Sequence, residues 1–212
     1  MVRYILFIGR KKNRFNWFLF SVNHGLSQNE FLEEGKGVRK RKNQQSLQKS
    51  VQKNVEDQLQ KMDAGNVEKE TDKLKDFVGI FDLKMLPSLK LVAYPCSLIV
   101  LTDQHWIGIF ISNKTIEIMD SMGYLSDKNF SKSLRVFLSA HLLSKSLVTT
   151  PKIQADDSNL CALYAVCFLY FRTLSCGNLC DFCRLFTSNL SENCYIITKL
   201  YTNLRKMNKL RN

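Results

Sequence analysis

Gln154-Ala-Asp-Asp-Ser-Asn-Leu-Cys161 runs without a break into Ala162-Leu-Tyr-Ala-Val-Cys-Phe-Leu169, and this stretch decides how the chain folds. The spacing predicts a helix over 159–174, with Asp157 and Ser158 as N-cap candidates. That helix is apolar on every face, and such a helix has to be covered on all sides. Cys161 falls in its first turn. Unpaired backbone N–H groups and the positive end of the helix dipole there stabilise an anion, which lowers a thiol pKa. A thiol placed this way is positioned for activation rather than only for burial.

Working outward, the preceding segments read as strands. Residues 89–92 and 96–102 are apolar, and the second is a continuous run suited to a buried strand. Residues 106–111 form another such run, Asn113-Lys114 supplies a turn, and 115–119 alternates up to Asp120. Residues 126–143 carry helical spacing at Leu134, Phe137, Leu138 and Leu142. Thr150-Pro151 breaks the chain, Lys152-Ile-Gln154 reads as a short extended piece, and 178–209 reads as one or two further helices. The expected class is α+β: a central mixed sheet packed by helices, with the nucleophile candidate at the N-terminus of a buried helix.

The 212 residues suffice for one domain with a proper core plus an extension. Hydrophobic residues make up 45%, which excludes a chain disordered throughout. The division expected is a basic, partly disordered or helical N-terminal extension over 1–75 and the folded domain over 76–212. Residues 1–60 hold 12 Lys/Arg against 5 acids, which is +7 of the formal +12. Arg39-Lys-Arg-Lys42 is either a solvated charge run or a patch for nuclear import or nucleic acid. The cationic excess favours anionic partners, DNA among them.

Seven cysteines, several within apolar runs, suit a reducing intracellular setting with free thiols. No apolar run reaches the roughly 20 residues that span a bilayer, so no membrane association is expected. Cys176, Cys180, Cys183 and Cys194 have no nearby His and read better as small core residues of an amphipathic helix than as a zinc set. No metal is expected, and no glycine-rich phosphate loop is present. His24 and His141 have no evident partners in the sequence.

A cysteine nucleophile needs a base, and the base needs an orienting acceptor. His105 stands at a strand start and Asp120 at the end of the next strand, 15 residues on. If those strands are antiparallel neighbours, both residues come to one end of the sheet. Gln154, seven residues before Cys161, can offer its amide to a substrate oxyanion beside the Cys161 backbone N–H. Trp106 would pack beside the imidazole and exclude water. Each residue taken singly has a bland reading: strand edge, turn former, solvated amide, core thiol. The order His, Asp, Gln, Cys is what raises them together.

That order and its surroundings resemble the adenovirus protease (adenain) family of cysteine peptidases. The segment Gln154 to Leu169 is similar to the family's nucleophile segment, with a Gln, a Ser four residues later and then the catalytic Cys and an apolar helix. His105-Trp-Ile-Gly-Ile-Phe110 resembles its His-Trp strand, and Ile116-Glu-Ile-Met-Asp-Ser-Met-Gly123 its acidic strand end. Phe77-Val-Gly-Ile-Phe-Asp-Leu-Lys-Met-Leu-Pro87 is similar to its N-terminal Gly-aromatic-Asp…Pro segment. The resemblance covers about residues 75–205. It departs at Ala162, where the family usually has Gly.

The resemblance implies a cysteine endopeptidase of the clan shared with SUMO proteases, acting on Gly-containing sites in structural precursors of a virus or a Polinton/Maverick-type transposon. The alternative within the clan is deconjugation of a ubiquitin-like modifier. An alternative of another class is an inactive domain that binds DNA or protein. His105 would be general base and acid, Asp120 its orienting group, Cys161 the nucleophile and Gln154 the oxyanion donor. No cofactor is implied for the chemistry, although DNA or a peptide would activate. Residues 121–153 contain no Cys through which a peptide could be attached by a disulfide. The protein would be a monomer with protein substrates, in the nucleus of the host cell or packaged in virions.

Overall fold

The computed structural model describes residues 3–11, 14–21, 64–91, 93–102, 104–125 and 131–210. The chain divides into two units, Met1–Gln58 and Leu59–Asn212. In the first, β1 (Arg3–Lys11) and β2 (Arg14–Ser21) pair antiparallel with an irregular register between Phe7 and Arg10. The sequence leads one to expect a partly disordered or helical extension, and its described residues 3–11 and 14–21 are strands. Both runs are rich in aliphatic and aromatic residues, which suit strands. The Arg39–Lys42 run and the polar segment 43–63 lie outside the described residues.

The second unit begins before the expected boundary at residue 76. Helix α1 (Ala64–Thr71) belongs to it, and Val67, Thr71 and Leu74 are buried. So few apolar residues among many charges made this segment read as part of the extension. Its anchor is polar: the Tyr170 hydroxyl donates to the Glu70 carbonyl at 2.8 Å, and Arg205 pairs with the Glu70 carboxylate at 2.7 Å.

The core is a five-stranded sheet in the order β3 (Phe77–Asp82), β4 (Cys96–Leu101), β5 (Trp106–Ile111), β6 (Thr115–Met119), β7 (Ser146–Thr149). The two outer pairings are parallel and the two inner ones antiparallel, so the sheet is mixed. This is the α+β arrangement that the sequence predicts. Among the described residues of the expected strand at 89–92, none is in a strand. Described residues 89–91 are irregular, following a 3-10 helix at Leu83–Ser88 capped by Asp82. Leu89 and Leu91 pack on the core as loop residues, and burial rather than strand pairing accounts for their apolar pattern. The strand β7 was not expected from the sequence.

Side chains alternate across a strand, and the two faces of β5 meet different helices. Ile107, Ile109 and Ile111 share a buried cluster with Leu134, Phe137 and Leu138 of α2 (Lys132–His141). Gly108 faces the opposite layer, helix α3 (Cys161–Thr173). Residues 162–171 of α3 are all buried. One side lies on the sheet, and the Cys167 thiol reaches the carbonyl of Ile197 in helix α5 (Leu190–Lys209) on the other. A helix between a sheet and a second helical layer has no solvent face, which explains its uniform hydrophobicity.

The short helix α4 (Leu179–Cys183) carries a capping box from Asn178 and Asp181. Buried Glu117 of β6 accepts from the Leu179 amide at 3.0 Å and pairs with Arg172 at 3.2 Å, tying the far end of α3 to the sheet. His141 does have a partner: its Nδ1 lies 3.0 Å from the Tyr94 hydroxyl. No helix among the described residues is long and apolar enough to cross a membrane.

Candidate active site

Three elements converge at one end of the sheet. The β4–β5 turn presents His105, the residues after β6 present Asp120, and the head of α3 presents Cys161. The turn is closed by Thr102, whose amide and hydroxyl both donate to the His105 carbonyl, at 2.9 and 3.0 Å. The antiparallel register of β5 and β6 then sets His105 beside Asp120. The two side chains meet at 2.7 Å between Nε2 and Oδ1, and both residues are buried.

Asp120 is held from four directions. Its Oδ1 also accepts from the Met122 amide at 3.2 Å, and its Oδ2 accepts from the Leu125 amide at 2.7 Å. Its own amide donates to the Thr150 hydroxyl at 2.8 Å, and that hydroxyl donates to the Asp120 carbonyl at 2.6 Å. Gly123 makes this turn practicable. It sits at φ +67°, where a Cβ would lie 2.8 Å from the Lys152 amide nitrogen.

With Nε2 turned to Asp120, the imidazole has Nδ1 left for the thiol. Burial alone would lower the His105 pKa. Hydrogen bonding to Asp120 and then to Cys161 outweighs that and raises it to about 9. Burial likewise pushes the Cys161 thiol up, but the His105 ring, the Trp106 backbone and the Ala162 backbone lower it to a net value below that of an ordinary cysteine. The two shifts together favour a thiolate–imidazolium pair.

Helix α3 starts without a side-chain cap. Its N-cap residue is Leu160, not Asp157 or Ser158, and the first helical bond runs from Tyr164 N to Leu160 O at 3.0 Å. The predicted caps are corrected for a physical reason: the chain at 154–158 forms a separate local turn, with Ser158 N bonded to Ala155 O at 3.1 Å. An uncapped first turn keeps its N–H groups for an anion.

Gln154 is buried at 1% exposure. Its Nε2 donates to the Ser158 carbonyl at 2.5 Å, and its Oε1 accepts from the Ser121 hydroxyl at 2.6 Å. Its amide and that of Ile153 both donate to the Ser121 carbonyl, at 3.0 and 2.9 Å. The Ile153 carbonyl accepts from Asn193 Nδ2 at 2.9 Å and from the Tyr164 hydroxyl at 3.3 Å, pinning this segment to α5 and α3. Trp106 is half-buried, and its backbone touches the thiol. The ring of Tyr124 stands against the imidazole, edge-on at 5.6 Å between centroids and 56% exposed.

Tyr124, Ser121 and Thr150 escaped the sequence reading. Ser121 follows the acid directly and Tyr124 stands four residues after it, and that proximity is the available signal. Thr150 gave none, being one Thr of a pair 30 residues away. No group of three His, Cys, Asp or Glu among the described residues is arranged to hold a metal ion.

No family model and no curated protein matches the chain. Among solved structures it is similar to the SUMO protease Ulp1 with the catalytic cysteine oxidized to a sulfenic acid, at 17% identity and a TM-score of 0.28, over 52% of this chain and 53% of that one. It is also similar to the SUMO protease Ulp1 with that cysteine oxidized to a sulfinic acid, at 16% identity and a TM-score of 0.27, over 51% and 54%. The chain thus spans about half the length of the solved structures it matches. A likeness at this level assigns no activity, and the geometry of the site stands on its own residues.

Proposed function

We propose that the protein is a cysteine endopeptidase in which Cys161 is the nucleophile, His105 the general base and acid, and Asp120 the group that orients His105. The observation that carries this reading is the coupling of a buried His105–Asp120 pair to a thiol at an uncapped helix start. The Cys161 thiolate attacks the scissile carbonyl carbon, and the carbonyl π electrons move to oxygen. That oxyanion accepts from the Cys161 amide and from the second N–H of Gln154 Nε2. The imidazolium of His105 gives its proton to the departing amine as the C–N bond breaks. Water, deprotonated by His105, then attacks the thioester carbon, and the released thiolate regains its imidazolium partner. Asp120 keeps the ring in one orientation throughout.

The substrate side, Gly-containing sites in structural precursor proteins with DNA as an activator, rests on the family resemblance of the motifs, and DNA binding rests also on the cationic excess of the chain. The test is hydrolysis of fluorogenic peptide amides ending in Gly-Gly, with and without duplex DNA. The wild type releases the fluorophore, and Cys161→Ala, still folded by circular dichroism, does not. Hydrolysis that persists in Cys161→Ala would contradict the mechanism. A wild type inert toward glycine-ended amides and toward iodoacetamide at neutral pH would favour an inactive binding domain.

A further inference from the structure

The geometry points to Ser121 as a positioning residue for the oxyanion donor, an inference that rests on the peptidase reading above. Asp120 and Ser121 are consecutive, and each governs a different part of the site. Asp120 fixes His105, whereas Ser121 fixes Gln154 at two points, its carbonyl taking the Gln154 amide and its hydroxyl meeting Oε1 at 2.6 Å.

The direction of these bonds is settled by chemistry. The Ser158 carbonyl can only accept, so the NH2 end of the Gln154 amide must face it. That leaves Oε1 toward Ser121, and the hydroxyl must donate. The amide plane is therefore clamped at both ends. Nε2 carries two hydrogens, and Ser158 takes one. Ser158 is the one acceptor shown for Nε2 among the described residues, in a residue that is 1% exposed. A buried N–H left without an acceptor is costly in a resting protein and useful where charge develops in a transition state. Without the Ser121 hydroxyl, Oε1 loses its donor and the amide can rotate away from the orientation that presents this hydrogen. The two halves of the site are thereby coupled through one peptide unit, and a shift of the strand end moves both.

The test compares wild type, Ser121→Ala, Gln154→Ala and the double variant, measuring kcat and KM on a Gly-Gly fluorogenic amide and the iodoacetamide alkylation rate of Cys161. Ser121→Ala is expected to lower kcat about tenfold to a hundredfold, short of the loss from removing an oxyanion donor outright. KM and the alkylation rate stay near wild type, since alkylation needs the thiolate but no oxyanion donor. The double variant is no slower than Gln154→Ala, because the hydroxyl acts only through the amide. A wild-type kcat in Ser121→Ala, or independent losses in the double variant, would overturn the inference. If Ser121→Ala fails to fold, Ser121→Cys, a weak donor of similar size, lowers kcat in the wild-type background and not in Gln154→Ala. Equal kcat for Ser121→Cys and wild type would overturn it. A wild type that hydrolyses no such amide defeats the peptidase reading itself, a result separable from any ratio between variants.

Discussion

A Cβ placed on Gly108 would lie 3.2 Å from the Ala165 carbonyl oxygen and 3.3 Å from the Ala165 Cα. Strand β5 and helix α3 therefore meet backbone to backbone three residues after His105 and four after Cys161. Gly108→Ala has no flexible side chain to displace and must push the helix from the strand. Overpacking of this kind costs about 1–3 kcal/mol. The expected result is a lower Tm and slower alkylation of Cys161, both read on the same preparation. Unchanged alkylation would mean that this contact does not set the distance from thiol to imidazole.

Asp120→Ala removes the acceptor of the 2.7 Å bond to His105. General acid–base assistance contributes about a hundredfold to ten-thousandfold, and loss of the orienting acid should cost an amount in that range in kcat. KM should change little, because Asp120 acts through His105 rather than on the substrate. Steady-state kinetics on a glycine-ended amide checks the split.

Thr150→Val keeps the shape and deletes the hydroxyl that serves both the amide and the carbonyl of Asp120. The carbonyl retains Gly123 N at 3.0 Å, but the buried amide is left without a partner. An orphaned buried donor costs about 1–3 kcal/mol, to be measured by urea denaturation. Thr150→Ser keeps the hydroxyl and should recover most of that loss.

The dependence of stability on pH follows from the two opposed shifts at the site. His105 is raised to about 9, so its contribution is fully present below its ordinary value near 6.5 and is lost as pH rises through about 9. Cys161 is lowered, so its contribution is present above the ordinary thiol range and is lost as pH falls through the folded value. In the wild type these slopes oppose each other. Cys161→Ala removes the second, so its Tm should fall as pH rises from about 6.5, with the end of the decline drawn below 9 by the missing thiolate. Adding Asp120→Ala should flatten that decline. A steep decline in the double variant would place its origin elsewhere.

Much of the candidate site is legible in the chain because the proposed chemistry demands particular residue types in a particular order. His105, Asp120 and Cys161 lie at element ends, where the pattern of apolar runs fixes their positions, whereas Gln154 lies in the coil between β7 and α3. The supports were not legible, because their contacts join residues far apart in sequence. Thr150 reaches Asp120 across 30 residues, and Ser121 reaches Gln154 across 33. Gly108 reads as one small residue in an apolar run until the helix it touches is known. Strand β7 is four residues long with a polar start, too short for alternation to register. The absence of a cap on α3 was hidden by Asp157 and Ser158, which look like caps but face a turn of their own.

In the proposed mechanism His105 holds Cys161 as a thiolate. Its most direct test is the second-order rate of Cys161 alkylation by iodoacetamide against pH, followed by mass spectrometry of the 161-containing peptide in wild type and His105→Ala. The wild-type rate should rise at a pH below the ordinary thiol range and then stay level, with His105→Ala shifted toward ordinary cysteine behaviour. Superimposable profiles for the two proteins would contradict that mechanism.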